Sequence, residues 1–218
     1  SIHLCDWLRS AGVHPEKDVR IVVVPPPQLF RNLVAGTIDG YCVGDPWNSL
    51  AVREKTGWCV ATSPELAPGH PEKVLMVRQD FAANEGERHL ALVSALAEAA
   101  ALCDDPSFRP ELARLLARRE YLNLPERVVA ASLLGPLELG HDRRTDAASF
   151  IHFHRDGAND PSAAKAAWLI DGFTRHRLFP PGHDLPRDLG RRTFRSDLYH
   201  QAVRKHTVPS HEAIPVSV

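Results

Sequence analysis

Apolar and polar positions in the first third of the chain switch between two periods. Residues 18–24 (DVRIVVV), 39–43 (DGYCV), 58–62 (WCVAT) and 74–77 (VLMV) are short β-prone runs, which predicts strands. Between them lie helical patterns over 4–12, 28–35 and 46–56, with Gly12, Gly36 and Gly57 as stops. On the second of these, Leu29, Phe30, Leu33 and Val34 share a face. Strands alternating with short helices predict βαβ units and a largely parallel sheet. Beyond Arg78 the period turns helical. Leu90, Val93, Leu96, Ala97 and Ala100 recur at helical spacing over 85–103, and Asp104-Asp105-Pro106 breaks the run. Further helices are predicted over 108–119, 125–134 and 161–175, the last capped by Asp160, with a short one near 197–203. Gly135-Pro136 opens a predicted loop that runs to Asp146. The pattern divides the chain into an α/β lobe over 1–77, a helical region over 78–205 and a disordered tail over 206–218.

Two short runs carry candidate chemistry. Gly44-Asp45-Pro46-Trp47 ends one predicted strand and opens a helix, with Asp45 as N-cap and Pro46 at the first helical position. Free N–H groups and the helix dipole at such a junction attract anions, and Gly44 lets a ligand approach the backbone. In parallel sheets ligands also settle at the carboxyl ends of strands, where Gly44 and Asp45 fall. The second run, His70-Pro71-Glu72-Lys73, places one ammonium at the head of the next apolar strand, expected to be buried. One cation with backbone donors suits a small monoanion, and the chain has no Gly-rich phosphate loop. The plainer alternatives stay open: Asp45 as a cap only, Lys73 as a solvated lysine, and Trp47 either walling the pocket or packing the first helical turn.

These residues bring a family into view. The segment VPPPQLFRNLVAGTIDGYCVGDPWN, residues 24–48, resembles the second lobe of nitrate-binding proteins of bacterial ABC importers. The same family holds bicarbonate-binding relatives and a cytoplasmic nitrate/nitrite sensor. HPEKVL looks like its next landmark, followed by Cys103-Asp104-Asp105-Pro106, Tyr121-Leu122-Asn123-Leu124-Pro125, Phe153-His154-Arg155 and Asp197-Leu198-Tyr199. The resemblance implies a periplasmic-binding-protein-like (type II) α/β second lobe with C-terminal helices that pack back on the other lobe. It implies a nitrate contact at Lys73, where bicarbonate-binding members carry an acidic residue and recruit calcium. It implies a backbone donor at Gly44. It also implies a histidine ahead of the helix that holds Trp7 and Leu8, for which His3 is the candidate; His3 stands about one helical turn closer to that tryptophan than the pattern places it. Asp45 and Trp47 complete the candidate ligand-binding set.

Composition sets outer bounds. The chain has 218 residues, 44% of them apolar, enough for a packed core. Its net charge of −1 gives no global basic face for nucleic acid. No apolar run reaches the length of a membrane span. Family members are longer, with a first lobe before this point, so the chain reads as a fragment that alone binds ligand weakly or not at all. Its unpartnered apolar stripes would then favour association. Cys5, Cys42, Cys59 and Cys103 form no C-x-x-C pair and read as free core thiols, which leans towards a reducing compartment; an importer component would instead be periplasmic or membrane-associated. Twelve histidines invite a metal reading, with His152 and His154 the closest pair, but no zinc-site spacing accompanies them. The expected function is a nitrate/nitrite-binding importer component without catalysis, cofactor or metal, whose lobe closure is read by the membrane subunits. The alternatives are a cytoplasmic sensor acting on an antiterminator partner and, more distantly, a metal-dependent enzyme.

Overall fold

Helices form where the periods place them in the computed structural model, which describes residues 1–179, 182, 185, 186 and 188–205. The first three are α1 (Ile2–Ser10), α2 (Pro26–Val34) and α3 (Trp47–Arg53). Two short helices follow, α4 (Ser63–Leu66) and α5 (Gln79–Asn84). The long α6 (Gly86–Asp104) leads into α7 (Arg109–Ala117) and α8 (Glu126–Leu133). After α9 (Ala147–Phe150) and a 3-10 turn at Arg155–Gly157 come α10 (Ala163–Arg175), α11 (Leu189–Thr193) and α12 (Ser196–Lys205). The expected tail over 206–218 lies outside the described residues.

Chain reversal explains where the helices stop. Gly12 and Gly36, at φ 77° and 67°, take the left-handed position after α1 and α2. The next amides, Val13 and Thr37, then close onto the carbonyls of Leu8 and Asn32. After α3 the same closure joins Thr56 N–H to the Ala51 carbonyl, and Lys55 holds the left-handed position at φ 54°. The helix therefore ends before Gly57, which is not its stop. At α10 the cap is Ser162, whose hydroxyl accepts the Lys165 amide, and not Asp160.

The parallel sheet expected over residues 1–77 is not present as a hydrogen-bonded ladder. Residues 18–24, 40–44, 57–62 and 74–77 run as irregular or extended backbone with no strand pairing. Among the described residues the sheet is a two-stranded antiparallel hairpin, β1 (Pro136–Gly140) with β2 (Arg143–Asp146), where a loop is predicted. β-propensity sets the backbone of a single segment, whereas a ladder also needs a partner about 4.8 Å away. The predicted strands instead line a broad cleft and turn apolar side chains outward. Val23 is 100% exposed and Met76 87%, so the run after Lys73 is not a buried strand. Cys42 is exposed for the same reason, while Cys5 is buried, and all four thiols are free. One predicted strand does dock: Cys59 donates its amide to the Leu139 carbonyl at 2.7 Å, and Arg143 Nη1 reaches the carbonyls of Cys59 and Val60.

The best-packed cluster lies in the helical region. Leu112, Ala113, Val129 and Leu133 are buried there, with Phe108, Leu122, Leu124 and Phe153 packed around them. Asp104, at the end of α6, ties this core together. Its carboxylate accepts the amides of Phe153, His154 and Arg155 at 3.2, 2.7 and 2.8 Å, and the Arg155 guanidinium at 2.8 Å. A second seam joins the two regions: Ile2 of α1 fills the space over Gly172 of α10, while Asp6 accepts from Arg175 at 2.8 Å and lies 2.8 Å from His176 Nε2.

Candidate functional site

The corner at the start of α3 is built by local hydrogen bonds. Asp45 Oδ1 accepts the Ser49 amide at 3.2 Å and the Ser49 hydroxyl at 2.9 Å. Pro46 occupies the N-cap position, so Asp45 caps from one residue further out. Burial pushes the Asp45 carboxyl above its ordinary range, and the Ser49 hydrogen bonds pull the other way. This use of Asp45 removes the Ser49 amide from the donors expected at the helix start. Asn48 Nδ2 donates to the Val43 carbonyl at 2.6 Å and fixes the approach of the preceding segment.

Gly44 stands just before this cap, exposed, and its amide has no acceptor among the described residues. Lys73 reaches the same corner from the 70–73 run. Its Nζ lies 4.0 Å from the point a Cβ on Gly44 would occupy, and Glu72 Oε1 lies 3.2 Å from that point. The two side chains pair at 2.7 Å and are largely exposed.

Two imidazoles meet at the head of the run that carries Lys73. The His3 and His70 rings meet edge to face with centroids 4.2 Å apart, and the Trp168 ring lies 5.5 Å from His3 and 6.0 Å from His70. Burial, then the neighbouring His70, lowers the His3 pKa below its ordinary 6.5, while Asp6 and Glu72 oppose the shift. His3 is therefore neutral near pH 7, able to donate from one nitrogen.

The structure thus brings Gly44 and Lys73 to one corner and sets His3 against His70 of the run that carries Lys73. Trp47 is different. It is half-buried, its carbonyl accepts the Tyr41 hydroxyl at 3.1 Å, and it is not among the residues lining the cleft. Sequence reasoning missed Trp168: it lies in the apolar run AAWLI of α10, far along the chain, and nothing local distinguishes it from a core residue. Glu72 and His70 lay inside the quoted motif without being selected.

The pair His152 and His154 is held by local partners. His152 Nδ1 lies 3.1 Å from Asp156, and His154 gives its amide to Asp104. Among the described residues, no group of three or more His, Cys, Asp or Glu side chains is placed to hold a metal ion.

Comparison with known proteins gives a consistent picture. A profile described as the NMT1-like family matches residues 1–117. The chain is 32% identical to the nitrate/nitrite binding protein NrtA of Synechococcus elongatus, over 97% of this chain and 47% of that protein. It is 35% identical to the nitrate import ATP-binding protein NrtC of Synechocystis sp., over 91% of this chain and 30% of that protein. Its fold superposes on the periplasmic nitrate-binding protein NrtA from Synechocystis PCC 6803 with a TM-score of 0.87 at 25% identity, covering 95% of this chain and 54% of that one. The similarity establishes a periplasmic-binding-protein-like α/β lobe. The chain spans less than half the length of the two relatives matched by sequence.

Proposed function

This chain belongs to the NMT1-like family, and on that premise we propose that it supplies one half of a nitrate- or nitrite-binding site for an ABC import system. The reading assigns it no covalent chemistry. Lys73 provides the charge, the Gly44 amide a backbone donor, and His3 a further hydrogen bond. The observation that carries the proposal is the convergence of an ammonium and an unpaired amide on one glycine corner. A monoanion fits that donor set, and a single ammonium lacks the fork geometry that would favour a phosphate group. The names of the relatives belong to import systems, which supports the importer reading over a sensor with an antiterminator partner.

A corner with one cation and much open surface binds weakly, with a Kd of roughly millimolar order. Titration of nitrate, nitrite and bicarbonate into the chain, followed by amide chemical shifts, tests this. Shifts that saturate with nitrate or nitrite at Gly44 and around Lys73 are expected, with bicarbonate inert. The Lys73→Glu variant should lose the response. Nitrate affinity unchanged in that variant would remove Lys73 from the site.

A second reading rests on the similarity to NrtC, in which the matched part makes up 30% of an ATP-binding protein. A module of this type joined to, or docked on, an importer's ATP-binding subunit would report the anion to it rather than deliver it. Nitrate-dependent change in the ATPase rate of such a subunit with this chain present favours this second reading; an unchanged rate favours delivery.

A further inference from the structure

The anion corner already contains an anion. Glu72 Oε1 lies 2.7 Å from Lys73 Nζ and 3.2 Å from the Cβ point over Gly44, with Lys73 Nζ 4.0 Å from that same point. The carboxylate thus stands over the Gly44 backbone beside the ammonium, in the volume an incoming oxyanion has to enter. Neighbouring side chains in extended backbone point to opposite faces, yet here the chain brings the two together. Among the described residues Lys73 is the hydrogen-bond partner of Glu72, and nothing else holds the carboxylate in place. Both side chains are mostly exposed, so the pair is weak and can exchange partners.

We propose that Glu72 is a specificity-determining residue: its carboxylate occupies the anion position when no ligand is bound, and its charge takes away the preference for dianions that Lys73 alone would give the corner. Together the two side chains carry no net charge. A monoanion must displace Glu72 from Lys73 and then bind with the displaced carboxylate close by. A dianion meets twice the repulsion from that carboxylate and twice the attraction to Lys73, because Coulomb energy scales with the product of the charges, so the carboxylate cancels the advantage a bare ammonium would give the dianion. The inference rests on the proposed anion-binding reading and deepens it by naming what limits affinity and selects charge.

The test is a titration of sodium nitrate and sodium sulfate into the full chain and its Glu72→Gln variant, followed by amide shifts. Glutamine keeps the size and the acceptor oxygen but removes the charge. Nitrate affinity should rise about three- to fivefold in the variant, and sulfate affinity by roughly the square of that factor. Nitrate binding by the variant should also fall more steeply with ionic strength, since its corner carries a net positive charge. Wild-type binding with no gain in Glu72→Gln, or equal gains for nitrate and sulfate, overturns the role of Glu72 and leaves the nitrate reading standing. No nitrate response in either protein overturns both.

Discussion

Two carboxylate–cation pairs of similar length do opposite work in this molecule. Glu72 meets Lys73 at 2.7 Å, and Asp104 meets Arg155 at 2.8 Å. The Lys73 side chain is 82% exposed, whereas Asp104 is 11% exposed and its second partner, Arg109, 5%. Around Asp104 three backbone amides complete the acceptor set, so the carboxylate has no reason to move. Glu72 has one partner, water on most sides and an open glycine beside it. Distance alone says nothing of function; burial and the number of satisfied hydrogen bonds decide whether a pair is a fixture or a place for exchange. The comparison also explains two of the family landmarks. Cys103-Asp104-Asp105-Pro106 and Phe153-His154-Arg155 are far apart in the chain, and Asp104 joins them.

Removing Asp104 has the largest expected consequence. Asp104→Ala leaves Arg109 buried without its acid and frees three amides, a loss of about 3–5 kcal/mol by urea unfolding. Burial raises the Asp104 carboxyl pKa, but the amides of Arg155, His154 and Phe153 and the Arg155 charge outweigh it and hold it below the ordinary 3.8. With its folded pKa depressed, Asp104 contributes stability that is full above about pH 4 and is lost as pH falls through the folded value. Asp104→Asn should flatten that acid limb. Equal acid limbs in Asp104→Asn and wild type would show that Asp104 is no fixture.

Next in size is the seam between α1 and α10. A Cβ on Gly172 would sit 2.6 Å from Ile2 Cδ1, so Gly172→Ala overpacks the contact and costs about 1–3 kcal/mol, less what alanine gains in a helix. Ile2→Val in the same chain should recover part of the loss by thermal melting. A smaller loss in Gly172→Ala than in the rescued double variant would mean the seam is not tightly packed.

The helical half of this picture was legible in the sequence because helices make their hydrogen bonds locally. Glu126–Leu133 and Gly86–Asp104 follow directly from apolar spacing and flanking Pro or Asp. Residues 1–77 were less legible. The run DVRIVVV predicts a strand, but whether it finds a ladder partner is a tertiary matter, and here it forms none and lines the cleft. The hairpin over 136–146 was hidden behind Gly135-Pro136, and it turns at His141 and Asp142, both with positive φ, instead of at a glycine pair. The meeting of Gly44 and Lys73 at one corner was readable because motif and backbone chemistry coincide. Trp168 was not, since its contact with His3 joins positions that nothing local relates.

Gly44→Ala separates binding from folding in the open corner. Its new methyl meets only flexible side-chain ends, Glu72 Oε1 at 3.2 Å and Lys73 Nζ at 4.0 Å, so stability should stay within about 0.5 kcal/mol of wild type. The methyl also fills the approach to the amide, and nitrate affinity should fall roughly tenfold by amide-shift titration, about 1.4 kcal/mol. The same substitution in a packed site would cost stability, as at Gly172. A large drop in melting temperature for Gly44→Ala would therefore make the corner a structural element and erase the contrast with Asp104.

The smallest effect expected is a pH dependence through His3. Its folded pKa lies below 6.5, chiefly because the ring is buried and secondly because His70 is close; Asp6 and Glu72 pull it up and the Ser1 amino group pulls it down. The neutral ring is the form the fold favours. Its contribution to stability is present above the unfolded pKa of about 6.5 and is lost as pH falls through the folded value. Anion binding should have the opposite slope, because a protonated His3 adds positive charge against His70 of the run that carries Lys73. Between pH 7.5 and 5.5 nitrate affinity should thus rise roughly threefold while the melting temperature declines. Opposed slopes are what distinguish a ligand-facing imidazole from a core one, for which only the stability slope exists. His3→Gln should flatten both slopes, and His70→Gln should raise the pH at which they turn, since it removes a neighbour that holds the His3 pKa down. Parallel slopes in wild type, or a binding slope that survives His3→Gln, would place His3 with the structural seam of α1 and α10 and not with the anion corner.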